Sequence, residues 1–313
     1  MIRCRSVAAS LLVAGSLVLV SAVASAVVSL PAPGTAAQVS RLVGASHAIT
    51  SLNTALKQRL LTALADNAGR GYPITKNGCA TLTKCVFGDT KASKTVVLFG
   101  DSHAQMWIPA MNRIGVSHKL KVALLFLPSC PAASLDVWLR YTNTAFGQCS
   151  AARKNWIAAV DKLHPVLVVL ADRTTSTYTL ASQGTQLFTD AQWKSGLETT
   201  ITGLAASKAK IAILGDTTAF NSVVPVCLAA YPTQVQMCAV PDPNPAVPGH
   251  QGAERAAAIA DGASYIDTSK WLCTSTCSPV IGNYIVYTDQ THITMTYAGY
   301  LSGVLSAALK ALL

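Results

Sequence analysis

The stretch Thr95-Val-Val-Leu-Phe-Gly-Asp-Ser-His-Ala-Gln-Met-Trp107 constrains the fold more than any other part of the chain. Four apolar residues, Val96 to Phe99, run directly into Gly100-Asp101-Ser102, and a helix-compatible segment follows. A short apolar run that stops at a glycine reads as a strand covered on both faces, the kind found in parallel sheets. The pattern then recurs. Strands are expected at residues 96–99, 122–126, 166–170 and 211–214, with a short one at 265–266. Helices are expected at 104–114, 150–163, 191–206, 251–260 and 297–312. Apolar strands interleaved with helices predict an α/β fold, with a parallel sheet between two helical layers.

In such a fold the turn at Gly100 puts Ser102 at the carboxyl edge of the sheet, where open α/β sheets bind ligands. The helix that opens there aims free backbone N–H groups at any oxyanion forming nearby. Ser102 is therefore a candidate nucleophile, provided the chain supplies a base. Tyr287-Thr-Asp289-Gln-Thr-His292 supplies a carboxylate and an imidazole on one short loop. Neither motif suffices alone, since Asp and Ser are common in turns and at N-caps. Their combination carries the argument: one follows the first strand, the other precedes the last helix, and both can meet at one end of the sheet. A serine hydroxyl needs a base within hydrogen-bond reach. His292 is the candidate base, and Asp289 the group that orients its ring and stabilises its cation.

The rest of the chain bounds the setting. Arg3 and Arg5 precede an apolar run at residues 7–23, and Ala24-Ser25-Ala26 fits a small-residue cleavage site. Residues 1–26 thus read as an export signal; the run is long enough that an uncleaved N-terminal anchor is the alternative. Residues 27–90 read as a linker, rich in Pro, Ala and Ser up to residue 45, followed by an amphipathic helix over 47–66 carrying Ile49, Leu52, Leu56, Leu60 and Leu64. Residues 91–313 form the main domain. Within it, 218–249 is too long for a plain connection and is expected to form a stapled loop over the site.

Of the nine cysteines, Cys4 lies in the signal. The others fall into near neighbours, and disulfides are expected between Cys79 and Cys85, Cys130 and Cys149, Cys227 and Cys238, and Cys273 and Cys277. A zinc site would need a Cys-x-x-Cys pair or nearby His, which the sequence lacks, so no metal and no cofactor are expected. The formal net charge is +10, but Lys and Arg are scattered, without a basic helix or interleaved aromatics. That argues against nucleic acid as a partner and is compatible with an anionic cell envelope.

Gly100-Asp-Ser-His-Ala with Trp107 and Pro109, Cys130-Pro131 after the second strand, and Trp271-Leu-Cys273…Cys277…Tyr287-x-Asp289-x-x-His292-x-Thr294 together resemble one branch of the SGNH hydrolases. This is the SGNH domain fused to the C-terminus of acyltransferase 3 membrane proteins, which modify bacterial surface glycans. The resemblance implies a flavodoxin-like three-layer sandwich, the SGNH hydrolase fold. It also implies serine-dependent hydrolysis or transfer of small acyl groups, usually acetyl, on cell-envelope carbohydrate through an acyl-serine. Ser102, Asp289 and His292 take the triad positions. The chain shows no multi-pass acyltransferase segment, so it is expected to act alone or with a separate membrane acyltransferase.

A second departure concerns the oxyanion hole. Broader SGNH enzymes place a Gly after the second strand and an Asn after the third. Here Leu127-Pro-Ser-Cys130 and Ala171-Asp172-Arg173-Thr174 stand there. The Ser102 N–H is the first donor expected, with Arg173, Thr174 or a residue near Thr217 as the second. His103, Asp172 and Arg173 are the residues expected to touch substrate, Asp101 is expected to stabilise the turn, and Gly215-Asp216 to shape the rim. Two other functions stay open: a lipase or thioesterase acting on lipid acyl chains, and a non-catalytic envelope module that binds glycan or a partner.

Overall fold

The computed structural model describes residues 30–74, 78–79, 81–174 and 179–313; the expected export signal lies outside the described residues. Its centre is a sheet of β1 (Val86–Gly88), β2 (Thr95–Gly100), β3 (Lys121–Phe126), β4 (Leu167–Ala171), β5 (Lys210–Leu214) and β6 (Ser264–Ile266). The spatial order is β1-β3-β2-β4-β5-β6. Only β1 is antiparallel, and the other pairings are parallel. Taken alone, the parallel strands follow the flavodoxin-like order, which reverses direction between β2 and β4. Ligands bind at such switch points, and Ser102 follows β2.

The alternation of side chains along each strand builds three layers. Val96 and Leu98 of β2 join Val122, Leu124, Leu167 and Val169 in one core. Val97 and Phe99 turn the other way, into a second core with Leu125, Val168, Leu170 and Ile213. The first core is closed by α1 (Ala36–Ala45), α2 (Thr54–Leu60), α4 (Ile108–His118), α9 (Met295–Tyr300) and α10 (Ser302–Leu309). The second is closed by α5 (Gly147–Leu163), α6 (Asp190–Gly203) and α8 (Gln251–Ala260). The short helices α3 (Ser102–Met106) and α7 (Val224–Ala230) add Ala104, Met106, Val224 and Leu228 to the first core. Trp156 of α5 meets Phe99 edge-on, with ring centroids 5.3 Å apart. Each large apolar side chain buried this way contributes about 1.5–3 kcal/mol.

The helical expectations need four corrections. Residues 104–114 do not form one helix: α3 ends and α4 begins at Trp107, with Pro109 in the first turn of α4, where its missing N–H costs nothing. Residues 297–312 divide at Leu301. The supposed linker contains α1, which Thr35 and Gln38 close with a capping box and which buries Val39 and Val43. Residues 47–66 yield only α2 between short 3-10 turns. Asn53 is responsible for the late start, since its side chain accepts the Leu56 N–H at 2.9 Å and favours a cap over continuation. Strand β1, three residues long, carried no periodic signal.

Residues 218–249 form the expected strap. Cys227 and Cys238 are bonded across it. Phe220 N–H donates to Gln290 O at 2.8 Å and Val224 N–H to Asp289 O at 3.3 Å, which holds the loop carrying the candidate base. All four expected disulfides are present, as befits a chain that folds in an oxidising, extracytoplasmic compartment. No described helix is long and apolar enough to cross a membrane. Alkylation of the folded protein without reduction is expected to leave Cys79 through Cys277 unmodified by mass spectrometry. Alkylated cysteines among these positions in folded material would refute the pairing.

Candidate active site

Gly100 ends β2 directly beside Ala171, the end of β4. Its φ is 155°, and a Cβ there would lie 2.0 Å from the Ala171 carbonyl oxygen. Only glycine lets the two strand ends run this close. Asp101 then caps α3 by accepting the His103 N–H at 2.7 Å. The same carboxylate accepts the Arg173 N–H at 3.1 Å, so the chain segments leaving β2 and β4 are tied together. Asp101 thus stabilises the turn, as expected.

Ser102 opens α3. Its Oγ lies 2.8 Å from His292 Nε2, and His292 Nδ1 lies 2.7 Å from Asp289 Oδ2. The other Asp289 oxygen accepts the N–H groups of Thr291 and His292, both at 2.8 Å. The carboxylate therefore folds its own loop around the imidazole. Burial disfavours its ionised form, but the His292 ring and these two N–H groups outweigh burial and hold Asp289 well below the usual carboxylate range. With the Nδ1 proton donated to Asp289, Nε2 is left to accept the Ser102 hydroxyl. The loop is braced at its base: Thr288 N–H donates to His292 O at 2.9 Å and Thr294 N–H to Val286 O at 2.8 Å.

These groups open into a cavity of about 370 Å³, lined also by Ser129, Tyr141, Arg173, Val223 and Gln290. The family profile for the SGNH domain (fused to AT3 domains) matches residues 72–307. The chain belongs to that SGNH family. Among solved structures, the periplasmic domain of the lipopolysaccharide acetyltransferase of Salmonella ser. Paratyphi A is similar at 16% identity, with 85% of this chain and 99% of that one covered and a TM-score of 0.55. A GDSL-like lipase from Bacteroides thetaiotaomicron VPI-5482 is similar at 12% identity, over 70% of this chain and 89% of that one, with a TM-score of 0.39. At 16% identity the likeness to the Salmonella domain is one of fold. A comparison with curated protein sequences finds no significant match.

Within this SGNH domain, two of the residues expected to touch substrate do not. His103 is 1% exposed, with Nδ1 2.5 Å from Asp216 Oδ1. Asp172 is 2% exposed and accepts the Ala132 N–H at 2.6 Å and the Ala133 N–H at 3.3 Å. Both are internal braces: Asp172 is turned inward, and His103 packs beneath the site with its ring centroid 4.7 Å from that of His292. Arg173 does line the cavity. The backbone N–H groups of the expected second oxyanion donors are engaged elsewhere. The N–H groups of Thr174 and Thr217 both donate to Asp216, at 2.8 and 2.7 Å, and that of Arg173 is committed to Asp101.

Ser129 was missed by sequence reasoning. Leu127 O accepts the Cys130 N–H at 3.0 Å, and Ser129 has φ 62° after Pro128. Proline followed by a left-handed residue is the signature of a type II turn. Here the turn carries Ser129 to the cavity, and the Cys130–Cys149 disulfide fastens it to α5.

Beneath the cavity lies a buried polar cluster. Burial alone would lower the affinity of His103 for a proton, but the Asp216 carboxylate more than compensates and raises its pKa. Burial likewise disfavours ionised Asp216, and His103 with the Thr174 and Thr217 N–H groups lowers its pKa nonetheless. The two form an internal ion pair. Glu254 is fully buried and accepts the Asp216 N–H at 3.2 Å; burial and the neighbouring carboxylates push its pKa well up. Burial and Asp101 push Asp172 up to about 8.

Proposed function

We propose that this SGNH domain is an exported serine O-acyl esterase or O-acyltransferase that acts on small acyl groups of cell-envelope carbohydrate. The observation that carries the proposal is the continuous Ser102–His292–Asp289 hydrogen-bond chain, opening into a cavity. In this reading Ser102 Oγ attacks the ester carbonyl while His292 Nε2 takes its proton, and ionised Asp289 stabilises the imidazolium. His292 then passes the proton to the departing sugar oxygen, leaving an acyl-serine. Water or a second hydroxyl, deprotonated by the same imidazole, releases the acyl group.

The Ser102 N–H has no hydrogen-bond partner among the described residues and is the proposed first oxyanion donor. The Ser129 N–H is the proposed second. Each is worth about 3 kcal/mol in the transition state. Tyr141, 69% exposed at the cavity, together with Arg173 and Gln290, offers a ring and polar groups suited to a hydroxyl-rich partner. The lipopolysaccharide acetyltransferase domain of similar fold supports the same class of acceptor. A separate membrane acyltransferase is the proposed acyl source for transfer.

Purified protein is expected to hydrolyse p-nitrophenyl acetate and to take a fluorophosphonate label on Ser102 that His292→Ala removes. Folded protein that does neither is the non-catalytic envelope module.

A further inference from the structure

The Ser102 hydroxyl stands on a ridge between two clefts, because Ser102, Val223, Asp289 and His292 line both. On one side is the polar cavity with Tyr141, Arg173 and Gln290. On the other is a cleft of about 530 Å³ whose walls include Leu64, Ala68, Met106, Pro128 and Ile293. Its outer wall comes from the segment preceding β1. That wall is anchored, since Asp66 accepts the Met295 N–H at 3.0 Å through its backbone and the Thr296 N–H at 3.1 Å through its side chain. Leu64 is 57% exposed there, a large apolar side chain left open at the edge of the cleft.

We propose that the apolar cleft holds the acyl chain of the acyl-serine, and that the acyl group is a linear chain longer than acetyl. The inference rests on the acyl-serine reading above and names the acyl class for it. In the tetrahedral intermediate one carbon bears Ser102 Oγ, the oxyanion, the alcohol oxygen and the acyl chain. The chain and the alcohol therefore leave that carbon in different directions, and two clefts meeting at one hydroxyl are what such an intermediate requires. As the Oγ–carbon bond forms and the alcohol–carbon bond breaks, the proton passes from Oγ through His292 to the alcohol. A sugar alcohol needs hydrogen-bonding neighbours, which the polar cavity has. An acyl chain offers none beyond its carbonyl, and it gains only by covering apolar surface. An acetyl methyl would leave exposed Leu64 and the half-buried Pro128 and Val223 wet, whereas a longer chain covers them.

The test is kcat/KM of the full exported protein for p-nitrophenyl acetate, butyrate and hexanoate. Partial to full burial of each added methylene is expected to raise kcat/KM by about two- to fourfold. Leu64→Asp charges the wall, and Gly69→Leu fills the cleft from a position where a Cβ meets only side-chain ends, the Gln105 amide at 3.1 Å and Asn67 Oδ1 at 3.4 Å. Each is expected to cut the hexanoate-to-acetate ratio by about tenfold or more, and the ratio within one variant cancels any loss of folded protein. A wild-type profile that is flat or falls with chain length overturns the proposal. So does a rising profile that neither variant alters. Turnover of none of the three esters, with Ser102 unlabelled by fluorophosphonate, overturns the acyl-serine reading itself and the inference with it. Acetate turnover without a gain for longer chains overturns only the inference.

Discussion

Ser102→Ala and His292→Ala are each expected to lower kcat/KM for p-nitrophenyl acetate by about 10⁴-fold or more, and the double variant to fall no further than the worse single one. The non-additivity follows from the geometry. Oγ and Nε2 are 2.8 Å apart and share one proton, so removing either ends the same step. Asp289→Asn tests the third member. The amide still accepts a hydrogen bond but carries no charge to stabilise the imidazolium, and a loss of about 10³- to 10⁴-fold is expected. Burial disfavours ionised Asp289, but its bond to the His292 ring and two backbone N–H groups hold it well below the usual carboxylate range, so its charge is in place at neutral pH. Steady-state rates at neutral pH provide the check. Rates within about twofold of wild type would show that Asp289 is a loop carboxylate only.

The second large effect concerns stability. Asp216→Ala is expected to cost about 3–5 kcal/mol, because it leaves His103 as an uncompensated buried charge. It also strips the Thr174 and Thr217 N–H groups of their acceptor. At roughly 2–4 °C per kcal/mol for domains of comparable size, the melting midpoint should fall by about 6–20 °C. Replacing His103 as well removes the stranded charge, so the double variant should lose less than the sum of the singles.

The pH dependence of the wild type carries the same signature. His103 has a raised pKa in the fold, so its stabilisation is complete below the ordinary imidazole value and is lost as pH rises through the raised one. Glu254 and Asp172 are also raised. A buried acid of this kind favours the fold while protonated, and its contribution fades as pH climbs, for Asp172 up to about 8. Asp216, lowered, contributes above the ordinary carboxylate range and is lost only in acid. The melting midpoint should therefore decline from about pH 6 toward pH 9, and Asp216→Asn should decline less steeply. Calorimetric scans across this range settle it; an Asp216→Ala midpoint within about 2 °C of wild type would show that the ion pair adds no net stability.

Much of this molecule is legible along the chain. The five apolar runs that became parallel strands begin or end within a residue or two of their expected bounds. The near-neighbour disulfides and the meeting of Ser102 with Asp289 and His292 also follow from the sequence. These are consequences of local chemistry: hydrophobic period, a glycine where a Cβ cannot fit, a carboxylate three residues from an imidazole, cysteines a short loop apart. Helix ends were less legible, because a single residue such as Asn53 or Pro109 shifts the balance by little more than a cap is worth.

What only the tertiary structure decided is where side chains point once layers close. His103 and Asp172 looked like substrate contacts and are internal braces. His103 meets Asp216 across a sequence separation of 113, and Asp172 meets Ala132 across 40. The short strand β1, the burial of α1 and the apolar cleft beside Ser102 are of the same kind. Each gains its stability from groups brought together by packing rather than from its neighbours along the chain. A residue's type and immediate neighbours determine the backbone it favours. Whether its polar end faces a cavity or a buried counter-charge is set by the burial energy of the whole core, which no local stretch of sequence contains.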